Sequence, residues 1–257
     1  MLRHPAYPVA LLYTTAYAVQ LIVLHEGGTL GNAVYGVVAL SLFLVYAPVT
    51  LVAANRTAAS TYRRRVRDPL DCTPVDDRQR TAATILGVLR GPMVVGLAGV
   101  PVLLVLQQFT TVDTVVPDDA IYQQTVLEYL QLPALVLGAG LLGIAVARWL
   151  PRPGALPLVA LVLWLGTIQM AEFTNADTVP TRAWFALWPV WTSGSPQDAL
   201  IRPPLSQVMW HLAYLLGLGV LAGIAALLRT HGPRRALWLA AGTTAAVTVL
   251  ASWRQLS

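Results

Sequence analysis

No lysine occurs in this 257-residue chain, so all seventeen Lys/Arg positions are arginine. Cysteine is almost as scarce. Cys72 stands alone, which excludes an internal disulfide and any cysteine-based metal site. Charge is sparse: 11% of residues are Asp, Glu, Lys or Arg, against about 25% in a soluble domain. His25, His211 and His231 are scattered, no HExxH occurs, and no carboxylate–histidine cluster has ligand spacing. No metal, other cofactor or catalytic group is therefore expected. A GxxxxGK(S/T) phosphate loop is also missing, so the chain cannot be an ATPase of that kind.

What is present is apolar. Hydrophobic residues make up 56% of the chain, and the mean hydropathy is +0.62. A membrane helix needs about 20 mostly apolar residues. Seven runs qualify, at 8–24, 33–54, 82–107, 127–148, 155–173, 207–229 and 236–253. The last, ALWLAAGTTAAVTVLASW, is short and rich in Ala and Thr. The N-terminal run shows no small-x-small cleavage site and reads as a retained first span. The fold class expected is all-α: a polytopic membrane protein of one domain, residues 1–257, with six core spans and a seventh.

Orientation follows from the arginines. With the N-terminus in the cytoplasm, thirteen arginines fall inside, Arg182, Arg202 and Arg254 fall outside, and Arg90 lies within a span. Cytoplasmic segments collect Lys and Arg in this way. The same asymmetry accounts for the net charge of +5, so nucleic acid is not an expected partner. The membrane expected is a bacterial plasma membrane.

The cytoplasmic loop 55–81 is the most charged part of the chain. Residues 55–67 contain no Pro or Gly and suit a helix; Pro69 disfavours helix at Asp68. Thr73, Pro74 and Asp76 then have N-cap spacing for the next helix, and Asp76 and Asp77 suit its positive end. The bland reading of Arg63, Arg64, Arg65 and Arg67 is a topology signal that touches anionic lipid head groups. The external segment 174–206 carries Trp184, Phe185, Trp188 and Trp191, which suit a bilayer interface. It reads either as short helices at the outer leaflet or as a loop anchored by tryptophans.

Three stretches carry a resemblance: RRRVRDPLDCTPVDDRQRTAA with its Leu70, Asp71 and Pro74 elbow, LLGIAVARWLPRPGALPLV, and VMWHLAYLLGLGVLAGIAALLR. Their wording and order are similar to the membrane subunits of type-2 ABC exporters, in particular actinobacterial permeases. That family has a cytoplasmic N-terminus and six spans. Its coupling helix lies between spans two and three, a tight turn joins spans four and five, and short external helices precede span six. Here these features correspond to 56–73, 148–155 and 174–206; the seventh run departs from the pattern. The resemblance implies a second permease subunit, the same or a sibling, and a separate cytoplasmic ATPase. It points to Arg63, Arg64, Arg65, Asp68 and Asp71 as ATPase contacts.

Two further ionisable residues invite a role. Arg90, in VLRGPMV, is either part of a pathway or a side chain snorkelling from near the inner interface, and the sequence favours the latter. Glu172, ending TIQMAEFTN, is either an outer gate or a water-boundary residue, and the sequence favours the boundary. Gly87/Gly91 and Gly219/Gly223 are GxxxG pairs, and Gly138, Gly140 and Gly143 add small residues for close helix packing. The rival classes are a non-transporting membrane scaffold or immunity protein, and an intramembrane enzyme. Ser193 with His211 would be the nucleophile pair of such an enzyme, but Ser193 sits in a Pro-rich external segment, which argues against it.

Overall fold

A chain this apolar must satisfy its backbone hydrogen bonds locally, and it does so with helices. A computed structural model describes residues 42–60, 75–109, 125–152, 154–172 and 204–255, and six helical residues between Pro8 and Ala16. Among the described residues every regular element is helical. A π-helical turn, Leu42–Tyr46, leads into α1 (Ala47–Ser60). Then follow α2 (Asp77–Phe109), α3 (Val126–Trp149), α4 (Ala155–Glu172), α5 (Leu205–Leu228) and α6 (Arg235–Arg254). Three of these, α3, α5 and α6, are long and apolar enough to cross a membrane. Most of run 8–24, the segment 61–74 and the external stretch 174–203 lie outside the described residues.

The start of α2 corrects one expectation. Asp76, and not Thr73, is the residue that caps it. The Asp76 carboxylate accepts the Gln79 backbone N–H at 2.6 Å, and the Gln79 side chain accepts the Asp76 N–H at 3.3 Å. This reciprocal pair satisfies two donors that the first turn would otherwise leave open. It also puts Asp77 at the first helical position, where its charge meets the positive end of the helix dipole.

Helix α3 is the centre of the group and packs against α1, α2 and α5. In lipid, helices associate through close packing and not through exclusion of water, so small residues decide how near they come. A Cβ added at Gly140 would lie 2.5 Å from a Val88 methyl of α2. One added at Gly143 would land on the Leu51 carbonyl oxygen of α1. One added at Gly219 of α5 would lie 3.3 Å from the Gly138 Cα. The three glycines of α3 therefore serve three neighbours and do not form one face. Asn55 of α1 donates its side-chain N–H to the Gly143 carbonyl at 3.0 Å.

The contacts also fix direction. Leu42 lies beside Tyr129 and Leu51 beside Gly143, so α1 runs parallel to α3. Gln131 meets Val208 and Trp149 meets Ala225, so α5 does too. Thr81 meets Arg148 and Val100 meets Tyr129, so α2 is antiparallel. Helix α6 runs back along α5, with Thr248 on Gly217 and Gln255 on His211. Its other side exposes Trp238, Leu239, Val249 and Trp253, a surface suited to lipid. Helices α1, α3, α4 and α5 line an apolar, partly open cavity of about 260 Å³ between Leu51, Gly138 and Trp164.

Candidate functional site

The polar groups of the helix group gather at its two ends. At one end, Arg148 occupies the last turn of α3 and is buried. Its Nη1 donates to both carboxylate oxygens of Asp77, at 2.8 and 2.9 Å, and its Nη2 donates to the Thr81 hydroxyl. The Thr81 hydroxyl in turn donates to the Asp77 backbone carbonyl at 2.8 Å. The planar guanidinium fork suits this three-point hold in a way that an ammonium would not. Both charges also sit at favourable helix ends, Asp77 at an N-terminus and Arg148 at a C-terminus.

Two further contacts extend this cluster. The Trp149 indole N–H donates to the Ala225 carbonyl of α5 at 2.8 Å, and the Arg229 guanidinium stands 5.6 Å from the Trp149 ring centroid. Arg78 donates to the Pro233 carbonyl at 3.2 Å, in the turn between α5 and α6. Gly232 in that turn has φ +126°, a conformation that glycine adopts without steric cost. The first turn of α2 is thus tied to the end of α3 and to the α5–α6 turn. That first turn follows directly on the basic segment.

The opposite end carries a second polar group. Glu128 accepts the Thr125 backbone N–H at 2.6 Å and the Thr125 hydroxyl at 3.0 Å, and so secures the start of its own helix. His211, fully buried in α5, has Nδ1 3.0 Å from the Gln255 side-chain oxygen, and Gln207 donates to the Gln255 carbonyl at 2.9 Å. These bonds lock the last turn of α6 onto the first turns of α5.

The residues singled out in sequence fall as follows. Arg63, Arg64, Arg65, Asp68 and Asp71 lie outside the described residues, as does Ser193. Glu172 is the last residue of α4. Arg90 lies on α2 with its side chain exposed. Val88 packs on Gly140 and Val100 beside Tyr129, which sets Arg90 level with the middle of α3. Asp77, Thr81 and Arg148 were not anticipated as a unit. Arg148 read as a topology arginine and Asp77 as a dipole partner. The available signal was an arginine closing an apolar run whose only other charge, Glu128, lies at its start, with an Asp-x-x-x-Thr pair opening another.

Among the described residues no three His, Cys, Asp or Glu side chains come together as metal ligands would. No family model matches the chain, and no curated protein or solved structure is significantly similar to it.

Proposed function

We propose that this chain is the membrane-spanning subunit of an ATP-driven exporter of the type-2 ABC kind. Its N-terminus is cytoplasmic, and it has six core spans and a seventh at 236–253. It forms the substrate path with a second permease subunit and docks a separate ATPase through residues 55–81. Arg63, Arg64, Arg65, Asp68 and Asp71 supply the docking charges.

The observation that carries this reading is the Asp77–Arg148–Thr81 cluster together with the Arg78–Pro233 bond. A coupling element must pass displacement to several helices at once. The docking segment precedes α2 in the chain, and the first turn of α2 is held both to the end of α3 and to the α5–α6 turn. A push on the segment therefore bears on more than one helix.

The test is affinity purification of the tagged chain from a mild detergent, with mass spectrometry of what accompanies it. The expected result is a stoichiometric cytoplasmic ATPase that is lost when Arg63, Arg64 and Arg65 are changed to Ala in a still-folded protein. Recovery of the chain with no ATPase, under conditions that preserve other ATPase–permease complexes, overturns the reading in favour of a non-transporting scaffold.

A further inference from the structure

Arginines from three helices meet at the short turn between α5 and α6. Arg229 closes α5, and its guanidinium stands 5.6 Å from the Trp149 ring centroid. That ring is itself fixed by its indole N–H on the Ala225 carbonyl. Arg234 and Arg235 begin α6 and are exposed. Arg78 reaches the turn from α2: it donates to the Pro233 carbonyl at 3.2 Å, and its Nη1 lies 3.6 Å from where a Gly232 Cβ would stand. Helix electrostatics does not account for this gathering, since Arg234 and Arg235 sit at the positive end of the α6 dipole. Nor does topology: a topology signal needs arginines in a connection, not Arg78 fixed onto it from 155 residues away.

The neighbouring chain adds to the positive charge. At this end Asp77 is held by Arg148, and Asp76 caps α2. The segment 61–74 leaves α1 and leads to α2 at the same end, and it carries Arg63, Arg64, Arg65 and Arg67 against Asp68 and Asp71. The aspartates of 110–124 and 173–203 lie in segments that join helices at the opposite end.

Apolar side chains are exposed directly beside these cations. Trp238 and Leu239 follow Arg235 at i+3 and i+4 on one face of α6, and are 63% and 72% exposed. Trp149, against Arg229, is 52% exposed. The complementary partner presents negative charge and hydrocarbon side by side, as an anionic lipid does. An acidic protein surface would match the arginines and leave Trp238 and Leu239 bare. Several guanidiniums around one short turn suit two phosphates better than one. We propose that the α5–α6 turn, through Arg78, Arg229, Arg234 and Arg235, binds a lipid whose head carries two phosphates, with its chains along Trp238 and Leu239. This binding does not depend on the export reading.

The experiment is native mass spectrometry of the full chain released from nonionic detergent. The probes are cardiolipin, phosphatidylglycerol, phosphatidylcholine and inorganic phosphate. Cardiolipin is expected to bind saturably, more tightly than phosphatidylglycerol and at least about tenfold more tightly than phosphatidylcholine. Inorganic phosphate should give no adduct. The triple variant Arg229→Gln, Arg234→Gln, Arg235→Gln should lose at least about tenfold for cardiolipin. The corresponding triple Lys variant should lose less, and Arg254→Gln, at the other end of α6, nothing. Thermal unfolding in the same detergent checks that the variants fold. Equal cardiolipin binding by wild type and the folded triple Gln variant overturns the proposal. So does equal uptake of phosphatidylcholine, which would mean that the chains alone bind, or of inorganic phosphate, which would mean a free-anion site. Cardiolipin no tighter than phosphatidylglycerol overturns the two-phosphate head. If the triple Gln variant keeps its lipid but loses a co-purifying ATPase, the arginines face a protein and the proposal falls. If cardiolipin binds through these arginines but no ATPase accompanies the chain, the export reading falls and this site stands.

Discussion

The Asp77–Arg148 pair is unequally buried, and that inequality has a measurable consequence. The Arg148 side chain is 2% exposed, whereas Asp77 is 33% exposed. Removing one partner of a buried ion pair costs about 3–5 kcal/mol, because the charge left behind has neither solvent nor partner. Asp77→Asn leaves that kind of charge on Arg148. The Asn carbonyl still accepts one bond, so a loss of about 3 kcal/mol is expected. Arg148→Met leaves Asp77 instead. Its carboxylate reaches water and sits at a helix N-terminus, so the expected loss is only about 1–2 kcal/mol. The double variant has no stranded charge. It should be no worse than Arg148→Met, and hence far from additive, with a coupling of about 3 kcal/mol. Reversible unfolding by titration with SDS in mixed micelles would measure all three. If Arg148→Met costs as much as Asp77→Asn, or if the two losses simply add, then Arg148 is not the desolvated partner and the reasoning fails.

Two further predictions concern the packing. Gly143→Ala should destabilise by about 1–3 kcal/mol in the same unfolding assay, since the new methyl meets the Leu51 backbone carbonyl. Gly87→Ala should be neutral or stabilising by up to about 1 kcal/mol, because it fills open space and favours helix; equal losses at both sites would refute the packing. Gln255→Ala should cost about 1–2 kcal/mol and speed proteolysis at the C-terminus, because it takes an acceptor from buried His211. Unchanged proteolysis would show that α6 is held on α5 by other contacts.

Particular residues show how far the sequence could be read. The apolar runs at 127–148, 207–229 and 236–253 gave their helices to within about two residues, because length and composition alone decide whether a segment buries its backbone in lipid. The start of α2 was missed by a few residues. Thr73 and Asp76 have a plausible capping spacing, yet Asp76 with Gln79 forms the pair. The sequence contains both candidates, and the choice depends on where the first turn is anchored. Arg148 was legible only as a charge at a boundary. Its partners lie 71 and 67 residues away in sequence, and no local pattern reports them.

By itself, then, the sequence determined that the chain is helical, with runs long and apolar enough to cross a membrane, and that its charge is concentrated in a few stretches. These are properties of composition and of residues near one another in the chain. Tertiary structure alone decided which glycines meet which helices, that Asp77, Thr81 and Arg148 form one cluster, and that Arg90 stands level with the middle of α3. Those facts depend on the register between helices, which close packing at Gly138, Gly140 and Gly143 sets across distant parts of the chain.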